Sequence, residues 1–190
     1  MNSDSLRQSI LSAVGQVARE FQRNPFLDLS ECDIQSSLRS RLRELIPSTL
    51  PLHTSGCVSL IQSEYWKNGN WIDLVCLDPE RAAKIMSDRT SERFDQYLWA
   101  LPLFAGIEMK FVYHDDRRKG PDICLNDMKK LNDLSGQASS SFLWLVLCFI
   151  QNGQFSEQFV TLFRSHSTSE IDEFNKIYVI GPNNSYKCSS

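Results

Sequence analysis

Hydrophobic positions recur with helical spacing over residues 5–22, at Leu6, Ile10, Leu11, Val14, Val17, Ala18 and Phe21, which predicts an amphipathic helix. Asn24-Pro25 ends it. Ser30, with Asp33 three residues on, has the pattern of an N-cap, and a second helix is expected over about 31–46, closed by Pro47. Its stripe is unusual: Leu38 and Leu42 continue upward into Glu31 and Gln35, so polar groups head an apolar face. The spacing then changes to that of strands. One is expected over about 52–62, around Val58 and Leu60, and another over 71–77, with a turn at Lys67-Asn68-Gly69-Asn70 between them and a stop at Asp78-Pro79. Helices are expected from Glu80 to Met86 and from Ser91 to Trp99. A long strand follows at about 103–113, then a charged loop over 114–120 and a helix over about 122–134. Residues 136–141 read as a flexible linker. Residues 141–150 are continuously apolar, as in a central strand covered on both faces. A turn at 151–153, a helix over 155–165, a strand over 176–180 and a loose polar tail from Pro182 complete the chain. The order implies one α/β domain of three layers with a mixed sheet.

Two strand residues break this apolar pattern. In Phe104-Ala105-Gly106-Ile107-Glu108-Met109-Lys110-Phe111-Val112, alternation places Glu108 and Lys110 on one face and Ile107, Met109 and Phe111 on the other, with the charged pair roughly 6.5 Å apart along the strand. Charges in an apolar strand are expected to be paired or functional. Asp73 is the same kind of exception one strand earlier: mid-strand Asp is disfavoured, and alternation groups it with Trp71 and Val75. If the strands are neighbours, two carboxylates meet and repel unless a cation lies between them. Oxygen-only ligands suit Mg²⁺ or Mn²⁺.

These residues carry a resemblance. Asp73, followed by Glu108-Met109-Lys110 on the next long strand, resembles the D…(D/E)-x-K signature of the PD-(D/E)xK nuclease superfamily. The helix bearing Glu31 is similar to that family's first core helix, and the helix with Asp122, Lys129, Lys130 and Leu131 to the one after its key strand. The likeness covers about residues 30–150. It implies a restriction-endonuclease-like core and a nuclease hydrolysing phosphodiesters, more readily of DNA than of RNA. It further implies Mg²⁺ (or Mn²⁺) held by Asp73, Glu108 and the carbonyl of Met109, with Lys110 positioning the attacking water and Glu31 tuning the metal from the opposite wall. Ile72 stands where the family often has Pro, and the 35 positions between Asp73 and Glu108 leave room for an inserted helical segment at 80–100.

The remaining composition changes the picture in a few places. A net charge of −3 announces no basic groove, so nucleic acid would have to be held by a local patch or through metal. That favours a rival reading, a catalytically inactive domain of the same type that binds protein or nucleic acid. A phosphohydrolase for small nucleotides would need no groove at all. Arg117, Arg118 and Lys119 lie beside Asp115 and Asp116, and Arg39, Arg41 and Arg43 along a helix; both runs read as solvated. The four Trp residues, 66, 71, 99 and 144, read as core. The six cysteines show no metal-ligand spacing, and Cys57, Cys76 and Cys148 read as buried thiols of a cytoplasmic protein. The N-terminus has no apolar signal region, and the longest apolar run, Phe142 to Ile150, is too short to span a bilayer; no membrane partner is expected. A homodimer or larger complex is left open.

Overall fold

The computed structural model describes residues 2–27, 30–46, 49–51, 57–87, 101–112, 120–135, 142–151, 176–182 and 185–188. In chain order they form α1 (Ser3–Arg23), α2 (Glu31–Leu45), β1 (Thr49–Pro51), β2 (Cys57–Ser59), β3 (Ile61–Lys67), β4 (Asn70–Leu77), α3 (Pro79–Ser87), β5 (Leu103–Val112), α4 (Gly120–Ser135), β6 (Leu143–Ile150), β7 (Lys176–Ile180) and β8 (Ser185–Cys188). The chain is α/β. β1 and β2 form a small antiparallel pair, and the other six strands make a mixed sheet in the order β3-β4-β5-β6-β7-β8. The joins β5–β6 and β6–β7 are parallel and the rest antiparallel.

Each boundary has a local cause. The Asn2 side chain caps α1 by accepting from the Ser5 N–H, and Ser30 Oγ caps α2 by accepting from the Asp33 N–H. Asp78 Oδ1 accepts from the N–H groups of Glu80 and Arg81, with Pro79 at the first helical position, where its missing N–H costs nothing. The β3–β4 hairpin turns on Asn68 (φ 51°) and Gly69 (φ 84°). Two consecutive positive φ values are what a two-residue hairpin turn of the favoured twist requires.

Helices cover both faces of the sheet. Phe21 of α1 meets Phe111 and Phe149 edge-on, with ring centroids 6.0 and 5.1 Å apart, so the odd-numbered positions of β5 face α1 and α2. The even-numbered positions face α4: a Cβ on Gly106 would lie 3.0 Å from Leu131 Cδ2 and 3.2 Å from Phe142 Cζ. β6 is buried along its whole length, as its unbroken apolar run implies. No helix among the described residues is long and apolar enough to cross a membrane.

Several sequence expectations need correction. The strand expected at 52–62 is not one element: β2 covers 57–59, and the sheet strand is β3, displaced to 61–67 because Leu60 interrupts the run with a bend. The tail is not loose throughout, since residues 185–188 pair antiparallel with β7 from Ile177 to Ile180. Cys57 is exposed, whereas Cys76 and Cys148 are buried as expected, together with Cys124. Trp144 belongs to the core, but Trp66 and Trp71 are exposed. Arg41 is not merely solvated: it pairs with Glu20 of α1 at 2.7 Å and with Glu44 at 3.2 Å. The expected helices at 91–99 and 155–165, the loop at 114–120, the linker at 136–141 and Trp99 lie outside the described residues or largely so.

Gly106 leaves no room for a side chain beneath Leu131 of α4 and Phe142. Gly106→Val should destabilise the protein by about 1–3 kcal/mol, the usual cost of overpacking a filled core, read as a lower urea midpoint at unchanged slope. A neutral outcome would show that Leu131 and Phe142 can move aside.

Candidate functional site

The site forms where the sheet ladder opens around Asp73. Backbone pairing of β4 with β5 runs from Leu77↔Leu103 to Leu74↔Ile107 and goes no further. Beyond it, Asp73 Oδ2 accepts the N–H of Met109 at 2.7 Å, so a carboxylate takes the place of a ladder carbonyl. On the other side, β3–β4 pairing passes from Ser63↔Leu74 to Tyr65↔Ile72 and omits Glu64 opposite Asp73. Glu64 has φ 51°, a left-handed conformation uncommon for a side chain of this kind. Gln35 of α2 fills the break: its Nε2 donates to the Asp73 carbonyl at 2.6 Å and to Glu64 Oε1 at 3.0 Å. The orphaned backbone groups are thus satisfied by side chains, as buried polar groups must be.

Lys110 extends into this opening. Its Nζ lies 3.8 Å from Asp73 Oδ2, 3.5 Å from Glu31 Oε1 and 3.3 Å from Asp127 Oδ2, and it donates to the Met109 carbonyl at 2.8 Å. Glu31 sits at the first position of α2, where the helix dipole favours an acid, and its Oε2 accepts from the Phe111 N–H at 3.4 Å. Glu108 is 1% exposed. Its Oε1 lies 2.7 Å from Lys130 Nζ, an ion pair whose geometry falls short of a directed hydrogen bond. Lys130 also approaches Asp127 Oδ1 at 3.5 Å and donates to the Trp71 carbonyl at 2.9 Å.

All four side chains expected from the sequence, Glu31, Asp73, Glu108 and Lys110, belong to this one network, and Met109 is tied into it through its backbone. Sequence reasoning did not single out Asp127, Lys130, Gln35 or Glu64 as site members. Two of these had a readable signal. Asp127 falls between the buried Cys124 and Leu131 of α4, at spacings of three and four that put an acid on an apolar stripe. Gln35 likewise interrupts the stripe of α2. Nothing local marks Glu64 or selects Lys130 over Lys129, because their roles depend on strands and helices distant in sequence.

Four carboxylates (Glu31, Asp73, Glu108, Asp127) face two ammonium groups (Lys110, Lys130), which leaves two negative charges when all are ionised. Burial and the neighbouring charges shift the titration of the group. The Glu108 carboxyl is pushed up to about 8, chiefly by burial and then by Asp73; Lys130 opposes the shift and Asp127 adds to it. Glu31 is also raised, by burial first, with Lys110 opposing and Asp73 assisting. Burial disfavours the charge on Lys110, yet Asp73, Asp127, Glu31 and Glu108 together hold it above the ordinary lysine value.

The donors are all oxygens, the set that Mg²⁺ and Mn²⁺ take. As the side chains stand, no three His, Cys, Asp or Glu among the described residues are disposed to chelate an ion, and Lys110 holds the Met109 carbonyl. Comparison of the chain with known protein families, with curated proteins and with solved structures returns no match.

The raised acids give the metal-free protein a pH-dependent contribution to stability. A carboxyl whose pKa is higher folded than unfolded contributes stability that is complete below the unfolded value, near 4.5, and is lost as pH rises towards the folded value, near 8 for Glu108. Stability should therefore fall over that window by up to about 1.4 kcal/mol per pH unit. Lys110, raised above its ordinary value, stays charged throughout. Glu108→Gln should flatten the slope measured by chemical denaturation in EDTA; an unchanged slope would assign it to other groups.

Proposed function

We infer that the chain is a Mg²⁺- or Mn²⁺-dependent nuclease with a restriction-endonuclease-like core, acting on nucleic-acid phosphodiesters and on DNA in preference to RNA. The observation that carries this reading is the clustering of Asp73, Glu31 and Asp127 around Lys110 and of Glu108 and Asp127 around Lys130 at an opening in the sheet, an all-oxygen set of donors of the kind a divalent cation takes. The resemblance of Asp73 and Glu108-Met109-Lys110 to the PD-(D/E)xK signature supports the same conclusion independently. So does the order of α2, three antiparallel strands, α4 and β6 around the site.

Asp73 and Glu108 would hold the cation, with the Met109 carbonyl as a further oxygen once Lys110 no longer occupies it. A bound cation of this kind polarises a phosphoryl oxygen and lowers the pKa of its water. This chain's own residues supply the rest. Met109 N–H fixes one Asp73 oxygen and so orients the carboxylate. Lys110, kept charged by its acids, is placed to steady the attacking water and the charge that develops on the phosphate. Glu31 restrains Lys110 from the α2 side, and Asp127 restrains both lysines from α4. Lys130 neutralises Glu108 in the metal-free protein and on release becomes a second cation for phosphate oxygens.

The acidic chain, with a pI near 5.6, favours a second reading, a domain of this kind that binds nucleic acid or protein without cutting. Cleavage separates the two. Single-stranded, double-stranded and branched DNA and RNA should be offered with Mg²⁺ and with Mn²⁺. The wild type should cut at least one of them and Glu108→Gln none. Lys110→Ala should bind substrate with near-normal affinity but lose about a hundredfold or more in kcat, because its interaction is made mainly in the transition state. Wild-type protein that cuts none of these substrates would sink the nuclease reading, and cleavage untouched by Glu108→Gln would mark a contaminant.

A further inference from the structure

Two indoles outside the charged network have no role in the function proposed so far. Trp66 and Trp71 face each other across the β3–β4 hairpin, with ring centroids 5.2 Å apart and planes inclined by 58°. They are 39% and 53% exposed. A cross-strand aromatic pair adds something to hairpin stability, roughly 0.2–1 kcal/mol. That term depends on the rings touching each other and does not require this much ring surface to remain in water. The turn between them already has the Asn-Gly sequence and the positive φ values that favour the hairpin, so the pair is not needed to define it.

Their position is more telling than their exposure. One ammonium group, Lys130 Nζ, donates to the Trp71 carbonyl at 2.9 Å and lies 2.7 Å from Glu108 Oε1. Asp73 is two residues along the same strand, roughly 6.5 Å away. Trp71 is thus two positions from Asp73 on β4, and its backbone carbonyl shares Lys130 with Glu108.

We propose that Trp66 and Trp71 form a stacking platform for an unpaired nucleobase, which makes the substrate a single-stranded segment or a frayed end rather than a closed duplex. The inference rests on the nuclease reading for the identity of the ligand. The occupant follows from chemistry. Bases inside a duplex are covered on both faces by their neighbours, so only an unpaired base offers a face to an indole. Duplex binding draws most of its affinity from a basic surface, which a net charge of −3 does not announce. Stacking on aromatic rings is the main alternative source of affinity, and it tolerates any base. Two tilted rings present faces to one base or to two successive ones, leaving the adjoining phosphate at the carboxylate and lysine cluster.

The test uses the full chain in EDTA, so that binding is read without cleavage. Short oligo-dT, short oligo-U and a blunt duplex serve as probes, followed by anisotropy of the labelled probe and by tryptophan fluorescence. The oligo-dT and oligo-U should bind more tightly than the duplex and quench the indoles; the ratio between them reports whether DNA or RNA is preferred. Trp66→Val and Trp71→Val, which suit a strand, should each weaken single-strand binding about tenfold or more. Trp66→Phe and Trp71→Phe keep a ring and should stay within about threefold of wild type, while the double Phe variant should lose most of the quenching. The Phe variants keep the question open to refutation even if a Val variant fails to fold. Equal single-strand affinity in folded Val variants, a preference for the duplex, quenching undiminished in the double Phe variant, or no binding of any oligonucleotide would each overturn the platform. Ring-dependent binding with no cleavage in Mg²⁺ would sink the nuclease reading and leave the platform standing. Cleavage and affinity both unaltered in the Val variants would do the reverse.

Discussion

The bond from the Met109 N–H to the Asp73 carboxylate is the interaction on which the site depends. A β-ladder normally satisfies every backbone donor with a carbonyl. At this point a side chain does so instead, and β4 and β5 are no longer held to a common register beyond Leu74 and Ile107. The opening gives Lys110 access to Glu31 from the α2 layer and to Asp127 from the α4 layer. Gln35 repairs the corresponding break towards β3. Without Asp73 in that place the ladder could close and Lys110 would lose its route between the layers.

Such an arrangement is poorly justified by stability alone. Removing charges from water costs several kcal/mol per ion, and their mutual attraction often fails to recover it. Here the balance is worse than in a matched pair, because acids outnumber bases. Burial first, with Asp73 adding to it, displaces the Glu108 and Glu31 carboxyls upward, so both retain protons more readily than free carboxyls. Perturbed carboxyls, a left-handed Glu64 and an interrupted ladder all belong to the network around Asp73. Strain and perturbed titration gather where a structure is shaped for chemistry.

Much of this was legible in the sequence because it violates pattern. Asp73, Glu108 and Lys110 stood out as charges in strands, and Glu31 and Gln35 as polar heads on an apolar stripe; all five meet in the structure. α1, α2, β4, β5, β6 and β7 were placed to within a few residues by periodicity. What could not be read depends on partners distant in sequence. β8 has a polar sequence and becomes a strand only because β7 offers it an edge. Cys57 looked buried from its apolar neighbours, yet it lies in a short strand outside the main sheet. Trp66 and Trp71 looked like core from their apolar sequence context, but they sit at the turn end of the β3–β4 hairpin and are exposed. Lys130 could not be told from Lys129 until β5 and α4 were set against each other.

The carboxylates around Asp73 and Glu108 are proposed to hold a divalent cation. Anomalous diffraction from crystals of the protein soaked in Mn²⁺ tests it most directly, since the signal locates the ion without reference to activity. The expected result is a peak bonded to carboxylate oxygens of both Asp73 and Glu108 at about 2.0–2.2 Å, close to the length Mg²⁺ takes, with Lys130 withdrawn from Glu108 and Lys110 from the Met109 carbonyl. Mn²⁺ bound elsewhere, or no peak while both lysines keep their contacts with the acids, would contradict it.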